Sequence, residues 1–371
     1  MFHLLRSEEL KISMLIKIDL RMLHASGIGT YLINLIPNIL KAYPETNFHL
    51  VGKKTEILNY DWANKNNVTV ENCEAPIYSI SEQFLFAKSA NTDLLWVPHY
   101  NIPIFYSGKL LVTVHDAFHL AMPKYVGGIH KRLYAKALFT AIKYRANKII
   151  CVSKFSANEL IRLTGINPNK ITVIYNGVNK EWFEIRKEKR PHNKPYLLYV
   201  GNVKQHKNLG RLLEAFELLA NKIPHDLIIV GKKEGFITGD TNIEKKATSL
   251  KQRVHFTGYV NNKLLHQYFV HAETLVFPSL YEGFGLPPLE AMACGCPVIV
   301  SNVASLPEVC GDAAIYCDPY SVEDIANKIE QLLANKNLQE EMRLRGIERA
   351  KQFSWNKAAK KTCEVIEEFI K

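Results

Sequence analysis

Two glutamates eight positions apart, Glu282 and Glu290, bracket the turn Gly283-Phe284-Gly285-Leu286 and a pair of prolines, Pro287 and Pro288. Ionised carboxylates accept hydrogen bonds from hydroxyls, and glycines between them let a ligand approach the main chain closely. The apolar run Thr274-Leu275-Val276-Phe277-Pro278-Ser279 comes just before and reads as a buried parallel strand. Prolines are tolerated in a first helical turn, where their missing N–H would be an orphan anyway, so the spacing predicts a helix opening there. Strand, glycine turn and helix start aim free amides and the positive end of a helix dipole at one point, which is an anion site. Carboxylates beside an anion are unfavourable unless the ligand also carries hydroxyls, which points to a sugar and a ribose.

Other chemistry-bearing residues fall at similar places. Gly27 and Gly29 follow the first strand and open a helix. Alone, Gly-x-Gly is a weak dinucleotide signal. Here the third glycine position is Leu32, and the next strand end, Val51-Gly52-Lys53-Lys54, lacks the acidic residue that would hold a ribose. His115-Asp116 closes the strand Leu111-Val112-Thr113-Val114. A lone histidine is more often structural than catalytic, but a strand end is where ligands bind. Between another strand and helix lies Gly201-Asn202-Val203-Lys204-Gln205-His206-Lys207-Asn208. A lysine there can meet the charge that develops on a departing phosphate. Lys207 would otherwise oppose the macrodipole of the following helix. Thr257-Gly258-Tyr259-Val260 ends a further strand.

The elements that must position these residues form two βα series. The first has candidate strands at 15–20, 48–51, 94–98, 109–115 and 148–152 and is closed by the run 171–178. A polar stretch from Lys180 to Lys194 reads as the linker. The second has strands at 196–201, 226–231, 254–259, 274–278, 297–301 and 313–317, then helices at 322–334, 337–352 and 355–370. Alternating strands and helices imply α/β architecture with doubly wound parallel sheets. The expected domains are residues 1–185 and 195–353, with 354–371 a C-terminal amphipathic helix. Ligands of such sheets bind at the carboxyl ends of the strands, where every motif above is expected to sit facing a cleft.

Glu-x7-Glu around Gly-Phe-Gly-Leu-Pro resembles the signature of the retaining nucleotide-sugar glycosyltransferases of family 4, which have the GT-B fold, two Rossmann-like domains facing across a cleft. The resemblance extends from about Lys17 to the C-terminus and includes Thr113-Val114-His115-Asp116, Val152-Ser153-Lys154-Phe155-Ser156 and the segment 298–307. It implies that residues 1–185 bind the acceptor and 195–353 the donor, and that the last helix crosses back to the N-terminal domain. It implies that Glu290 accepts from ribose hydroxyls, Glu282 contacts the donor sugar or its phosphates, and the amides of Gly283, Phe284, Gly285 and Leu286 hold sugar hydroxyls and phosphate. His115 would contact the transferred sugar, and Tyr259 and Val260 would lie against the base. Gly27 and Gly29 would pack near the donor phosphates and the acceptor. Lys207 matches the family's loop lysine. The usual arginine is absent: Asn202 and His206 stand where cations are common, and Lys204 is the remaining substitute, without arginine's fork. Asp116 either orients His115 or accepts from the acceptor hydroxyl. The motifs look most like those of mannosyltransferases that use GDP-mannose in surface-polysaccharide assembly, with a UDP-sugar donor left open. A hydrolysing sugar-nucleotide epimerase and a non-catalytic nucleotide-sugar binding subunit are the other readings.

Composition narrows the classes. The chain has 371 residues, enough for two ordinary domains, and no apolar run near the roughly 20 residues that span a bilayer. Residues 1–13 carry Glu8 and Glu9 and do not read as a secretory signal. Seven cysteines with no Cys-x-x-Cys pair fit a reducing compartment, and Cys294 and Cys296 fit small apolar core groups. No Asp-x-Asp pair or zinc-like spacing occurs, so no metal and no cofactor are expected, and the nucleotide sugar is a substrate. Residues 1–190 hold 25 Lys and Arg against 15 Asp and Glu, and the remainder holds 22 against 21. Much of the excess lies between Lys124 and Lys148, interleaved with aromatic residues, a pattern suited to an anionic membrane surface or to a solvated helix face. No nucleic-acid-binding motif accompanies it. The expected location is the cytoplasm, including the inner face of a membrane, with a saccharide or lipid-linked acceptor.

Overall fold

The computed structural model describes residues 14–79, 81–84, 86, 92–184, 189–231, 249–250 and 252–369. Thirteen strands are defined among them: β1 Leu15–Asp19, β2 Asn47–Gly52, β3 Val68–Asn72, β4 Leu94–Val97, β5 Leu110–Val114, β6 Lys148–Cys151, β7 Ile171–Val173, β8 Tyr196–Val200, β9 Asp226–Val230, β10 Val254–Gly258, β11 Thr274–Phe277, β12 Val298–Ser301 and β13 Ile315–Cys317. They form a seven-stranded sheet in the order β3-β2-β1-β4-β5-β6-β7 and a six-stranded sheet in the order β10-β9-β8-β11-β12-β13. All five pairs of the second sheet are parallel. The main helices are α1 Ser26–Ala42, α2 Ile129–Arg145, α3 Lys154–Thr164, α4 Leu209–Leu219, α5 Asn262–His271, α6 Leu286–Ala293, α7 Val322–Ala334, α8 Lys336–Ala350 and α9 Trp355–Glu367.

Strand order follows from burial. Tyr196, Leu197, Leu198, Tyr199 and Val200 of β8 are all buried, as expected of a central strand covered on both faces. Its even residues join one core with Ile228, Leu275, Phe277 and Val298, while Leu197 and Tyr199 join another with Leu227, Ile229, Val276 and Phe216. That alternation is the period of two of a pleated strand. β3 left no comparable sign in the hydrophobic pattern, because it is an edge strand with no buried residue.

Two compact units are present. One holds the described residues up to Thr113, then Leu138–Ile150 and the chain from Ala359 onward; the other holds Val114–Ala137 and Cys151–Ala358. In the first, Tyr43 Oη donates to the Cys363 carbonyl at 3.0 Å, and Lys109 Nζ to the Phe369 carbonyl at 2.9 Å. In the second, the polar stretch expected as a linker instead contributes Trp182 to the core, 7% exposed and edge-on to Phe269. Cys294 and Cys296 are buried free thiols packed in the second unit's core.

Candidate active site

In a doubly wound sheet the ligand crevice opens where strand order reverses. In the second sheet that point lies between β8 and β11, and the loops leaving those two strands carry the expected residues. After β8 the chain makes a single turn, Gln205–Lys207, and ends it at Asn208 with φ +62°. Asparagine tolerates this left-handed backbone better than most residues. The buried Asn208 amide donates to the carbonyls of Pro278 at 2.9 Å and Pro319 at 2.7 Å, fixing the turn against the loop that leaves β11. Lys207 Nζ then lies 2.6 and 2.8 Å from the two carboxylate oxygens of Glu282. The pair is partly shielded, with side chains 20% and 11% exposed. An ammonium group has three donors, so two face Glu282 and one remains.

Next to this pair, Gly283-Phe284-Gly285 is held by its carbonyls. Ser305 Oγ lies 2.9 Å from the Glu282 carbonyl and 3.0 Å from that of Phe284, while Ser153 Oγ donates to the Gly283 carbonyl at 2.6 Å. In a trans peptide the N–H points away from the C=O, so fixing three successive carbonyls aims the N–H groups of Gly283, Phe284 and Gly285 the other way. Among the described residues those N–H groups donate to no protein oxygen. Gly285, with φ +100°, caps α6, whose first turn carries the expected prolines. Because Pro287 and Pro288 have no N–H, the donors at this helix end are concentrated in the glycine turn. Neither serine announces this role in sequence: a hydroxyl that ties down a distant carbonyl leaves no local pattern.

His115 also meets the turn. A Cβ on Gly283 would fall 2.0 Å from the His115 carbonyl and 2.9 Å from Asp116 Cβ, so only glycine fits. Ser156 Oγ lies 2.9 Å from the His115 carbonyl and 3.0 Å from that of Gly283, sharing one proton between them. The Asp116 carboxylate accepts from the Phe118 N–H at 2.9 Å. Phe118 then packs against His206, with ring centroids 4.3 Å apart and the planes tilted by 48°. Burial, with Lys207 and Lys204 nearby, pushes the His206 imidazole down to about 3. It is therefore neutral at physiological pH and does not replace the missing loop arginine.

Lys207, Glu282, Gly283, Phe284, Gly285 and the His115-Asp116 backbone thus share one neighbourhood of the second unit. Leu286 opens α6, and Glu290 lies one turn further on, half-buried, where burial raises its carboxyl to about 7. Asn202 and the exposed Lys204 sit in the loop after β8. Tyr259 is 75% exposed just after β10, while Val260 packs on the core. In the first unit, Gly29 is required by the fold, since a Cβ there would lie 2.4 Å from the Leu23 carbonyl; Gly27 faces open space. At the switch point of the first sheet, after β1, Arg21 binds Asp19 at 2.6 Å and Glu82 at 3.1 Å, all three side chains buried. Burial raises the Asp19 carboxyl, but His99 and Arg21 outweigh it and hold the group far below the usual range.

The family model described as glycosyl transferases group 1 matches residues 180–352, and that described as glycosyltransferase family 4 matches residues 86–182. The O-antigen chain mannosyltransferase B of Escherichia coli is 33% identical over 264 residues, 68% of this chain and 69% of that one. The chain belongs to the group 1 glycosyl transferases. The serotype-specific mannosyltransferase WbdA of Escherichia coli is 27% identical over 296 residues, and this group 1 chain spans 76% of its own length there but only 35% of the relative's. A crystal structure of Anabaena HepE in complex with UDP and glucose superposes with a TM-score of 0.75 over 96% of this chain and 100% of that one, at 17% identity. The fold of this glycosyltransferase is GT-B, as the motifs implied. Among the described residues no helix is long and apolar enough to cross a membrane.

Proposed function

We propose that this glycosyltransferase moves a mannosyl group from GDP-mannose, with retention of configuration, to a saccharide or lipid-linked acceptor in surface-polysaccharide assembly. The observation that carries the reading is Lys207, held by Glu282 beside three backbone amides that donate to no protein oxygen among the described residues. A diphosphate seated there receives the remaining Nζ donor and the N–H groups of Gly283, Phe284 and Gly285. As the bond from the sugar's C1 to the β-phosphate oxygen breaks, negative charge grows on the phosphate, and fixed donors stabilise it more than they stabilise the ground state. The acceptor oxygen attacks C1 from the face the phosphate leaves, and the acceptor's proton departs with the phosphate. Asn202 and Lys204 extend the cationic loop, Tyr259 and Val260 lie against the base, and Glu290 accepts from the ribose. Leu286 contributes the last free amide, and His115 borders the transferred sugar. In this scheme the diphosphate needs no bound ion.

The mannosyltransferase named above supports the choice of sugar; HepE, in complex with UDP, makes uridine the donor base to test against. Thermal shift with a panel of GDP- and UDP-sugars decides it. GDP-mannose is expected to raise the melting temperature, and Lys207→Ala to abolish the rise. A shift with UDP-sugars alone overturns the donor, and consumption of donor without acceptor would favour the epimerase. We further propose peripheral contact with anionic lipid through α2, where Ile129, Leu133 and Tyr144 are 74%, 61% and 72% exposed among Lys131, Arg132 and Lys136. Failure to sediment with anionic vesicles at low salt removes that proposal.

A further inference from the structure

The amino end of the second sheet, opposite the strand ends that carry the catalytic loops, gathers another set of polar groups. Asp226 is the first residue of β9 and its side chain is 2% exposed. Its two oxygens have different surroundings. Oδ1 receives Arg253 Nε at 2.9 Å, with Lys194 Nζ 3.7 Å away. Oδ2 faces two imidazoles, His192 Nε2 at 2.8 Å and His255 Nε2 at 3.1 Å. His192 precedes β8 and His255 is the second residue of β10, so three chain segments converge on one oxygen.

We infer that His192, Asp226 and His255 form a binding site for one divalent transition-metal ion, Zn²⁺ by preference. The three ligand atoms lie within 4.8 Å of one another. A tetrahedral Zn²⁺ with bonds near 2.0–2.1 Å places its ligand atoms roughly 3.3 Å apart, so the contacts at Oδ2 need open only by a few tenths of an ångström. To bind the ion each imidazole offers its Nε2 lone pair, with the ring proton on Nδ1. The ring nitrogens can be reached from solvent, since the His192 and His255 side chains are 21% and 39% exposed. Water fills the fourth position.

Arg253 supplies the outer shell. Its guanidinium is pinned by the carbonyls of Ala220, Ile223 and His225, and by holding Oδ1 it aims Oδ2 at the imidazoles. Its charge and that of Lys194 weaken cation binding. Arg253 is already paired, however, and Lys194, 57% exposed, is free to swing into solvent. The affinity is therefore below that of closed four-ligand sites. The ion would clip the segment before β8 to β9 and β10, adding stability to this edge of the sheet.

The test is titration of the full, tag-free chain with ZnCl₂ by calorimetry, and with CoCl₂ by visible absorption, at neutral pH. The expected result is one saturable equivalent, a Co²⁺ ligand-field band, and a melting temperature several degrees higher with excess Zn²⁺. His192→Gln and His255→Gln are the informative variants. Glutamine can still donate to Asp226, so the fold should persist, while affinity for Zn²⁺ falls at least tenfold. Absence of saturable binding overturns the site. So does an undiminished equivalent in both variants, which would place the ion among the other 11 histidines and seven cysteines. A charge network alone predicts melting temperatures that do not respond to Zn²⁺.

Discussion

At the amino end of the second sheet, one buried carboxylate faces two imidazoles and a guanidinium at hydrogen-bond distance, with an ammonium group 3.7 Å away. At the carboxyl end, one ammonium meets one carboxylate, and three backbone amides beside them have no protein acceptor among the described residues. Both clusters sit beside the same buried strands, so the difference comes from local anchoring. At the amino end side chains satisfy each other. At the carboxyl end Ser153, Ser156 and Ser305 satisfy only the carbonyls, and this leaves the N–H groups for a ligand. Side chains that pair with one another brace the fold, whereas anchored carbonyls leave the neighbouring N–H groups without a protein acceptor.

The strongest way to break this contrast is Lys207→Ala. Removing a donor aimed at developing charge costs about 3–4 kcal/mol in the transition state, so kcat should fall roughly 10²- to 10³-fold. The melting temperature should fall as well, because Glu282, 11% exposed, is left without its partner, so kcat is compared at a temperature where the variant is folded. An unchanged rate would remove Lys207 from the chemistry. Asp226→Ala is the counterpart at the other end. It leaves Arg253 without its buried carboxylate, and breaking such a network costs about 3 kcal/mol. Chemical denaturation should report that loss, and a variant as stable as the parent would mean that the cluster is not a stabilising one.

How legible each end was in the sequence follows the same division. The Glu282–Glu290 string, the loop lysine and the strand-end histidine could be read, because glycines, prolines and charges at a strand-to-helix turn are local signals. The strands of both sheets stood out as apolar runs, except β3 at an edge. The serine anchors could not be read: Ser153 and Gly283 are 130 residues apart, and a hydroxyl-to-carbonyl bond has no sequence period. His206 stands where the family commonly has a cation, and only the structure shows the burial that, with Lys207 and Lys204 nearby, pushes its imidazole down to about 3. The cluster at Asp226 was invisible for the same reason, since its members come from three separate strand starts.

Ser305→Ala sharpens the role of anchoring with a smaller effect. It frees the Glu282 and Phe284 carbonyls, and an unsatisfied buried acceptor costs about 1–3 kcal/mol. If the anchored amides bind donor, the donor's KM should rise by about tenfold while Lys207 still supports turnover, and steady-state kinetics separates the two. A variant that loses stability but keeps its KM would show that the serine braces the fold and not the ligand turn.

Glu290 gives the smallest effect and a defined sign. Burial raises its carboxyl from 4.5 to about 7, so between those values the folded chain holds a proton that the unfolded chain has released. Its contribution to stability is thus complete below pH 4.5 and disappears as pH rises through 7, where a charged carboxylate sits in a poorly solvated place. Glutamine has no such charge. Glu290→Gln should therefore match the parent near pH 4.5 and exceed it by on the order of 1–2 kcal/mol at pH 8, allowing for the half-buried setting. Urea unfolding at the two pH values measures the difference, and parallel behaviour of the two proteins would show that the carboxyl titrates normally. Donor binding should reverse the preference, because ribose hydroxyls stabilise the ionised form. At pH 7 the parent should then release a fraction of a proton on binding donor, detectable by calorimetry in buffers of different ionisation enthalpy, and Glu290→Gln should release none.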